Sequence, residues 1–233
     1  MRAFTLAFLL MAGRVTASQE TVRTVTGIVT LNGEGPKSKA MKISCPQCAP
    51  LYPQGMARED LVVDHAGAIG GAFVYVKSGL ERRNHPVPET SALVEMKGCR
   101  YEPHVLGVRA GQKIRLLNRD PHNHCVHGLA FDNREINVAL TPGQEFEKSF
   151  EKPEVMIRLK DDVYPWMSAW IGVVDHPFFA VTGPDGKFAI KGLPAGKYTI
   201  EVWQDKCRPA TQQVEVGEKD PSPMEWRLEL KKD

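Results

Sequence analysis

Turn residues cut this chain into short pieces, and that punctuation limits what it can fold into. Glycine occurs 20 times and proline 17 times among 233 residues, about one residue in six. Glycine supplies positive φ and proline lacks a backbone donor, so both tend to end regular elements. Between them, apolar residues recur with a period of two, the spacing of a strand with one face in a core. The pattern predicts strands over residues 24–31, 71–77, 113–118, 146–150, 155–160, 169–174, 178–182, 188–191, 198–203, 212–216 and 225–230. The only helical candidates lie near 141–146 or in the loop 50–59. Short strands without long helices indicate an all-β chain of sandwiches or barrels.

The first eighteen residues read as a signal peptide. Arg2 precedes an apolar run over 3–13, and Val15-Thr16-Ala17-Ser18 offers small residues for cleavage. Arg14 is unusual between run and cleavage site. The run is too short to span a bilayer, and no cysteine follows it to carry a lipid. Cleavage would remove Arg2 and Arg14, leaving 28 basic and 28 acidic residues. A neutral chain without a basic run lacks the electrostatic footprint of a nucleic-acid binder. The expectation is a periplasmic or secreted protein with no membrane span in the mature chain.

Five cysteines remain: Cys45, Cys48, Cys99, Cys125 and Cys207. Export makes disulfides the default, and an odd count leaves at least one thiol over. Cys45-Pro46-Gln47-Cys48 has the spacing of a redox or zinc motif. No helical pattern and no second such pair accompany it, so structural pairing is expected for one or both, with Cys99 the favoured partner. Cys125 is the candidate free thiol, or pairs with Cys207.

Pro184-Asp185-Gly186-Lys187 is a strong hairpin turn, and Leu193-Pro194-Ala195-Gly196-Lys197-Tyr198 supplies a second. With Thr182 and Phe188, these residues resemble the carboxypeptidase regulatory-like, transthyretin-like sandwich family. Gly27-Ile28-Val29, Gly33 and Pro36 resemble that family's opening strand. The sandwich is thus expected over 23–89 and again over 176–233. Between them, Gly98-Cys99-Arg100-Tyr101-Glu102-Pro103-His104-Val105, Asn118-Arg119-Asp120-Pro121-His122-Asn123-His124-Cys125-Val126-His127 and Lys160-Asp161-Asp162-Val163-Tyr164-Pro165-Trp166-Met167 resemble exported cupredoxin-like proteins of the plastocyanin and methylamine-utilisation-like group. That resemblance runs over 90–175 and implies a Greek-key barrel.

The resemblance also implies a copper position, and here the sequence departs from it. A blue-copper site needs a thiolate, two imidazoles and a weak thioether. The family loop reads Cys-Asp-Val-His-Pro-Trp-Met. In this chain Asp161 stands for its cysteine and Tyr164 for its histidine, while Met167 remains; His124 matches the first histidine. Without a thiolate, a degenerate site is expected, with copper possible but no cofactor as the first expectation. A rebuilt metal site around His124 would draw on His122, Cys125 and His127. On a flat strand 122 and 124 face one side and 125 and 127 the other, so only a loop or bulge could gather them. His104 and His176 are expected to serve structure, and His65 and His85 carry no motif.

No nucleophile elbow and no zinc-helix motif occurs, so no enzyme is expected. The sequence leads first to a non-catalytic interaction or structural module with an unknown protein or cell-surface partner. The alternatives are a copper-binding or electron-transfer protein, and a carbohydrate-binding accessory module. The last would use Trp166, Trp170, Trp203 or Trp226, which more often fill a core or a joint.

Overall fold

The chain begins one sandwich, leaves it to build a second, and returns to finish the first. A computed structural model describes residues 22–36, 40–80 and 84–232. The expected signal peptide at 1–18 lies outside the described residues. The first stretch holds β1 (Val22–Leu31), the two-residue strands β2 (Val62–Val63) and β3 (Ile69–Gly70), and β4 (Phe73–Ser78). Nine strands follow without a break. They are β5 (Ala92–Met96), β6 (Tyr101–Glu102), β7 (Val105–Arg109), β8 (Lys113–Asn118), β9 (His124–Leu129), β10 (Ile136–Leu140), β11 (Glu145–Ser149), β12 (Glu154–Asp161) and β13 (Ser168–Val174). The return consists of β14 (Phe179–Val181), β15 (Lys187–Pro194), β16 (Gly196–Trp203), β17 (Ala210–Val216) and β18 (Met224–Leu228).

The nine middle strands form two sheets, ordered β10-β9-β12-β13-β7 and β11-β8-β5-β6. Both sheets contribute to one core, including Val94, Ile114 and Leu116 from one side and Val126, Ile157 and Ile171 from the other. Seven of the remaining strands make sheets β15-β1-β18 and β14-β4-β16-β17 around a second core, and β2 pairs with β3 alone. Trp226, Ile190 and Val29 meet Val74, Ile200 and Val202 there. Alternation places these side chains: β18 runs buried–exposed–buried–exposed–buried. Each fully buried large apolar side chain is worth about 1.5–3 kcal/mol over exposure. Among the described residues there is no α-helix. The expected helix near 141–146 is a turn, with Gln144 N–H donating to Thr141 O, because Gly143 takes φ +76° there. The other candidate is only a 3₁₀ turn at Ala49–Leu51, just ahead of and into the loop.

The two sandwiches meet on a small apolar joint. Phe73, Tyr75, Val105 and Val174 form it, with Met156, Trp170, Phe179 and Trp203 packed against them. Gly107 and Gly172 allow the close approach: a Cβ at 107 would stand 2.5 Å from Phe179, and one at 172 would stand 2.6 Å from Phe73. The Trp170 and Trp203 rings lie 4.9 Å apart. Arg109 ties the crossing segments together by donating to His85 O and Asp175 O at 3.0 and 2.9 Å. His176, buried at the same crossing, shares a hydrogen bond with Val76 O at 2.8 Å.

Candidate functional site

Three connections converge at one end of the middle sandwich: 97–100, 119–123 and 162–167. The last strand residue before the second is Asn118, which is fully buried. Its amide donates to His122 O at 2.8 Å and Leu140 O at 2.9 Å, and its oxygen accepts from Asp120 N–H at 2.9 Å. That bonding folds the 119–123 loop tightly and delivers His124 into the core as the first residue of β9.

His124 has no exposed surface, and both ring nitrogens face carboxylates. Nδ1 is 2.9 Å from Asp161 Oδ2, and Nε2 is 3.0 Å from Asp120 Oδ2. A neutral imidazole donates from one nitrogen only, so this double contact selects the imidazolium when both partners are ionised. Burial pulls the His124 pKa down. Hydrogen bonds and charge from Asp120 and Asp161 outweigh it, and the ring is held above its ordinary 6.5. For Asp120, burial acts upward, while His124 and the Cys99 and Gly98 amides act downward and prevail.

Both carboxylates also hold backbone amides. Asp161 Oδ1 accepts from Val163 and Tyr164 N–H at 2.8 and 2.9 Å, capping the turn that follows β12. Its Oδ2 also accepts from Cys125 N–H at 3.1 Å. Asp120 accepts from Gly98 N–H at 2.5 Å and Cys99 N–H at 2.8 Å. The result is one chain of charge-assisted bonds linking all three connections through His124.

The copper set implied by the resemblance does not fit these residues. No thiolate is present: the position corresponding to the cysteine is Asp161, whose lone pairs are already filled by four donors. Tyr164 is buried and lies edge-on to His124 at 5.1 Å, offering a neutral ring face. Burial, then the charges of Cys45, Asp161 and Asp120, push its phenol pKa up, which opposes the phenolate a metal would want. Met167 is buried in the core beside them. Neither His124 ring nitrogen is open to an ion, since Nδ1 bonds Asp161 and Nε2 bonds Asp120.

The rebuilt set is divided. His122 and His124 share a side, with ring centroids 5.0 Å apart. Cys125 and His127 alternate to the outer face of β9, where His127 Nδ1 stands 3.3 Å from Asp162. A smaller grouping of Asp120, His122 and His124 keeps its ligand atoms within 4.8 Å of one another. A metal there would have to displace the His124–Asp120 hydrogen bond. Sequence reasoning overlooked Asp120 as a partner of His124. The clue was its place four residues before His124, opposite the new acid at 161.

Cys48 and Cys99 form a disulfide, while Cys45, Cys125 and Cys207 are free. The proposed pairing of Cys125 with Cys207 does not occur, since Cys207 is buried in the other core and Cys125 sits on β9. His104 shares a hydrogen bond with Ser168 O at 2.8 Å, a backbone contact as expected. Trp166 donates to Cys99 O at 3.2 Å, Trp226 is core, and Trp170 and Trp203 belong to the joint.

Solved structures similar to parts of this chain include a copper-containing reductase and cupredoxins. The Cu-containing nitrite reductase from Thermus scotoductus SA-01 aligns at 17% identity and TM-score 0.36, covering 42% of this chain and 26% of that one. The chain thus spans about a quarter of the reductase. A purple cupredoxin from Nitrosopumilus maritimus aligns at 20% identity and TM-score 0.32, covering 36% of this chain and 100% of that one. A Cu(I) form of an amicyanin mutant aligns at 19% identity and TM-score 0.34, over 45% and 99%. No protein-family model and no curated protein matches the sequence. No helix among the described residues is long and apolar enough to cross a membrane.

Proposed function

We propose that this chain is a non-catalytic binding or structural module in which a buried aspartate–histidine–aspartate bridge takes the place of a type 1 copper centre. The observation that carries the reading is His124, fully buried with both nitrogens bonded to carboxylates. A copper ion in such a site cross-links its loops through the ligands. Here hydrogen bonds through His124 join the two connections that border those positions, 119–123 and 162–167, and Asp120 adds 97–100, so the scaffold needs no ion to hold them. The electron-transfer chemistry, which rests on the Cu–thiolate bond, has no donor for it. We further propose that residues 1–18 direct export and that the module acts outside the cytoplasm through a protein or cell-surface partner. The Cys48–Cys99 disulfide supports an oxidising compartment.

The test is metal content. Purified protein is incubated with Cu(I), Cu(II) and Zn(II) in turn and desalted, beside His124→Ala. Substoichiometric metal and a melting temperature indifferent to each ion are expected, since an ion that bound the folded state would raise it. One retained equivalent, lost in His124→Ala, overturns the reading in favour of a site at Asp120, His122 and His124.

A further inference from the structure

Three cysteines and a histidine crowd one side of the same end of the sandwich. Both residues of the Cys48–Cys99 disulfide are fully buried. His122 Nε2 is 3.5 Å from Cys99 Sγ. Cys45 precedes Cys48 on a tight turn, its carbonyl accepting from Cys48 N–H at 3.2 Å and Ala49 N–H at 2.8 Å. Such a turn holds its end Cα atoms within about 7 Å, overlapping the range a disulfide spans. The backbone spacing therefore permits Cys48 two partners: Cys99, with Cα atoms 6.0 Å apart, and Cys45 across the turn. Cys45 carries a free, partly exposed thiol, bonded to Gln47 Oε1 at 2.9 Å. Cys99 takes φ +58°, a conformation that favours glycine, and Asp120 holds its amide.

We propose that Cys45, Cys48, Cys99 and His122 form a thiol–disulfide exchange site. The Cys45 thiolate attacks Cys48 Sγ. A Cys45–Cys48 bond forms as the Cys48–Cys99 bond breaks, and the electron pair leaves on Cys99 Sγ. The Cys45 proton goes to water, and the Cys99 thiolate takes a proton from water after accepting a hydrogen bond from the His122 ring. One disulfide is consumed and one is made, so no oxidant or reductant is needed. The exchange carries the disulfide from a buried pair to a surface CxxC turn. There an external thiol can attack it, whereas Cys48 and Cys99 are closed to direct approach. The external reactant is a thiol of a partner protein or a small dithiol. The site adjoins the His124 bridge, since Asp120 holds the Cys99 amide and the His122 and His124 rings lie 5.0 Å apart, but the exchange runs through the three sulfurs and its assay counts thiols, not bound metal.

The full-length protein is exposed to millimolar dithiothreitol under native conditions, quenched in acid, and its thiols are counted by alkylation and mass spectrometry. Reduction of Cys48–Cys99 is expected to slow at least tenfold in Cys45→Ser, with the thermal midpoint unchanged. An unchanged rate overturns the proposal. A second measurement needs no variant. Wild-type protein held in glutathione buffers and trapped in acid is expected to yield a peptide linked through Cys45–Cys48, with Cys99 alkylated. A map showing only Cys48–Cys99, with Cys45 alkylated at every buffer ratio, also overturns it.

Discussion

Replacing Asp161 with alanine should be among the most damaging single changes in the middle sandwich. The carboxylate has no exposed side-chain surface and is 2.9 Å from an equally buried imidazole. Removing one partner of a buried ion pair costs about 3–5 kcal/mol, because the other charge is left uncompensated. The amides of Cys125, Val163 and Tyr164 lose their acceptor at the same time. With a urea slope of roughly 2 kcal/mol/M, the midpoint should fall by about 1.5–2.5 M. Urea titration at pH 6, followed by tryptophan fluorescence, reads this directly. Asp161→Asn should cost less, since its carbonyl can still cap the turn and its amide can face a neutral ring. The pH profile supplies the second arm. His124 has a folded-state pKa raised above 6.5. Its contribution is therefore complete below 6.5 and is lost as pH rises through the folded value. Asp120 is lowered from 3.8, so its contribution is present above 3.8 and is lost as pH falls through its folded value. Wild-type stability should decline on the alkaline side, and Asp161→Ala should flatten that decline. A loss under about 1 kcal/mol, or an unaltered pH profile, would refute the charged-bridge argument.

Other outcomes follow from the same structure. Joint replacement of Cys48 and Cys99 by alanine should cost about 4 kcal/mol, from the loop-closure entropy of a sequence separation of 51, measured by urea midpoint. Gly107→Ala should cost about 1–3 kcal/mol by forcing Phe179 and Phe73 apart, with a shift in Trp170–Trp203 fluorescence. Native alkylation at pH 8 should label Cys45 and Cys125 but spare Cys207, whose thiol is buried and pushed up to about 11. Labelling of all three at equal rates would show that the second core opens readily.

The period-two reading located most of the strands in which one face is buried and the other is wet. Strand β8 was read at its observed limits, 113–118, and β12 and β13 within a residue. It passed over β5, β7, β9 and β10, and the two-residue strands β2, β3 and β6. Strand β9 is written His-Cys-Val-His-Gly-Leu, where buried histidine and glycine break the apolar count. Strand β7 pairs in parallel with β13 and packs on the joint, so neither of its faces is polar enough to alternate cleanly. At the site, the absence of the thiolate was legible from Asp161 alone. The bridge was not, because it needs Asp120 and Asp161, 41 positions apart, to meet on opposite sides of one ring. Only the pairing of β9 with β12, Val126 beside Asp161, brings that about.

The interleaved strand order bears on how the protein is made. Every ladder partner of β1 and β4 lies beyond residue 178. The middle nine strands pair only among themselves. As the chain emerges from its N-terminal side, the middle sandwich is complete while β1 and β4 still lack the strands they pair with. Domains generally fold as units during synthesis, and unpaired strand edges invite aggregation. The emerging chain therefore carries two strands with open ladder edges tethered to a finished globule until residues 179–228 arrive. Translation pauses or truncations in that final stretch should be far more damaging than their distance from His124 suggests.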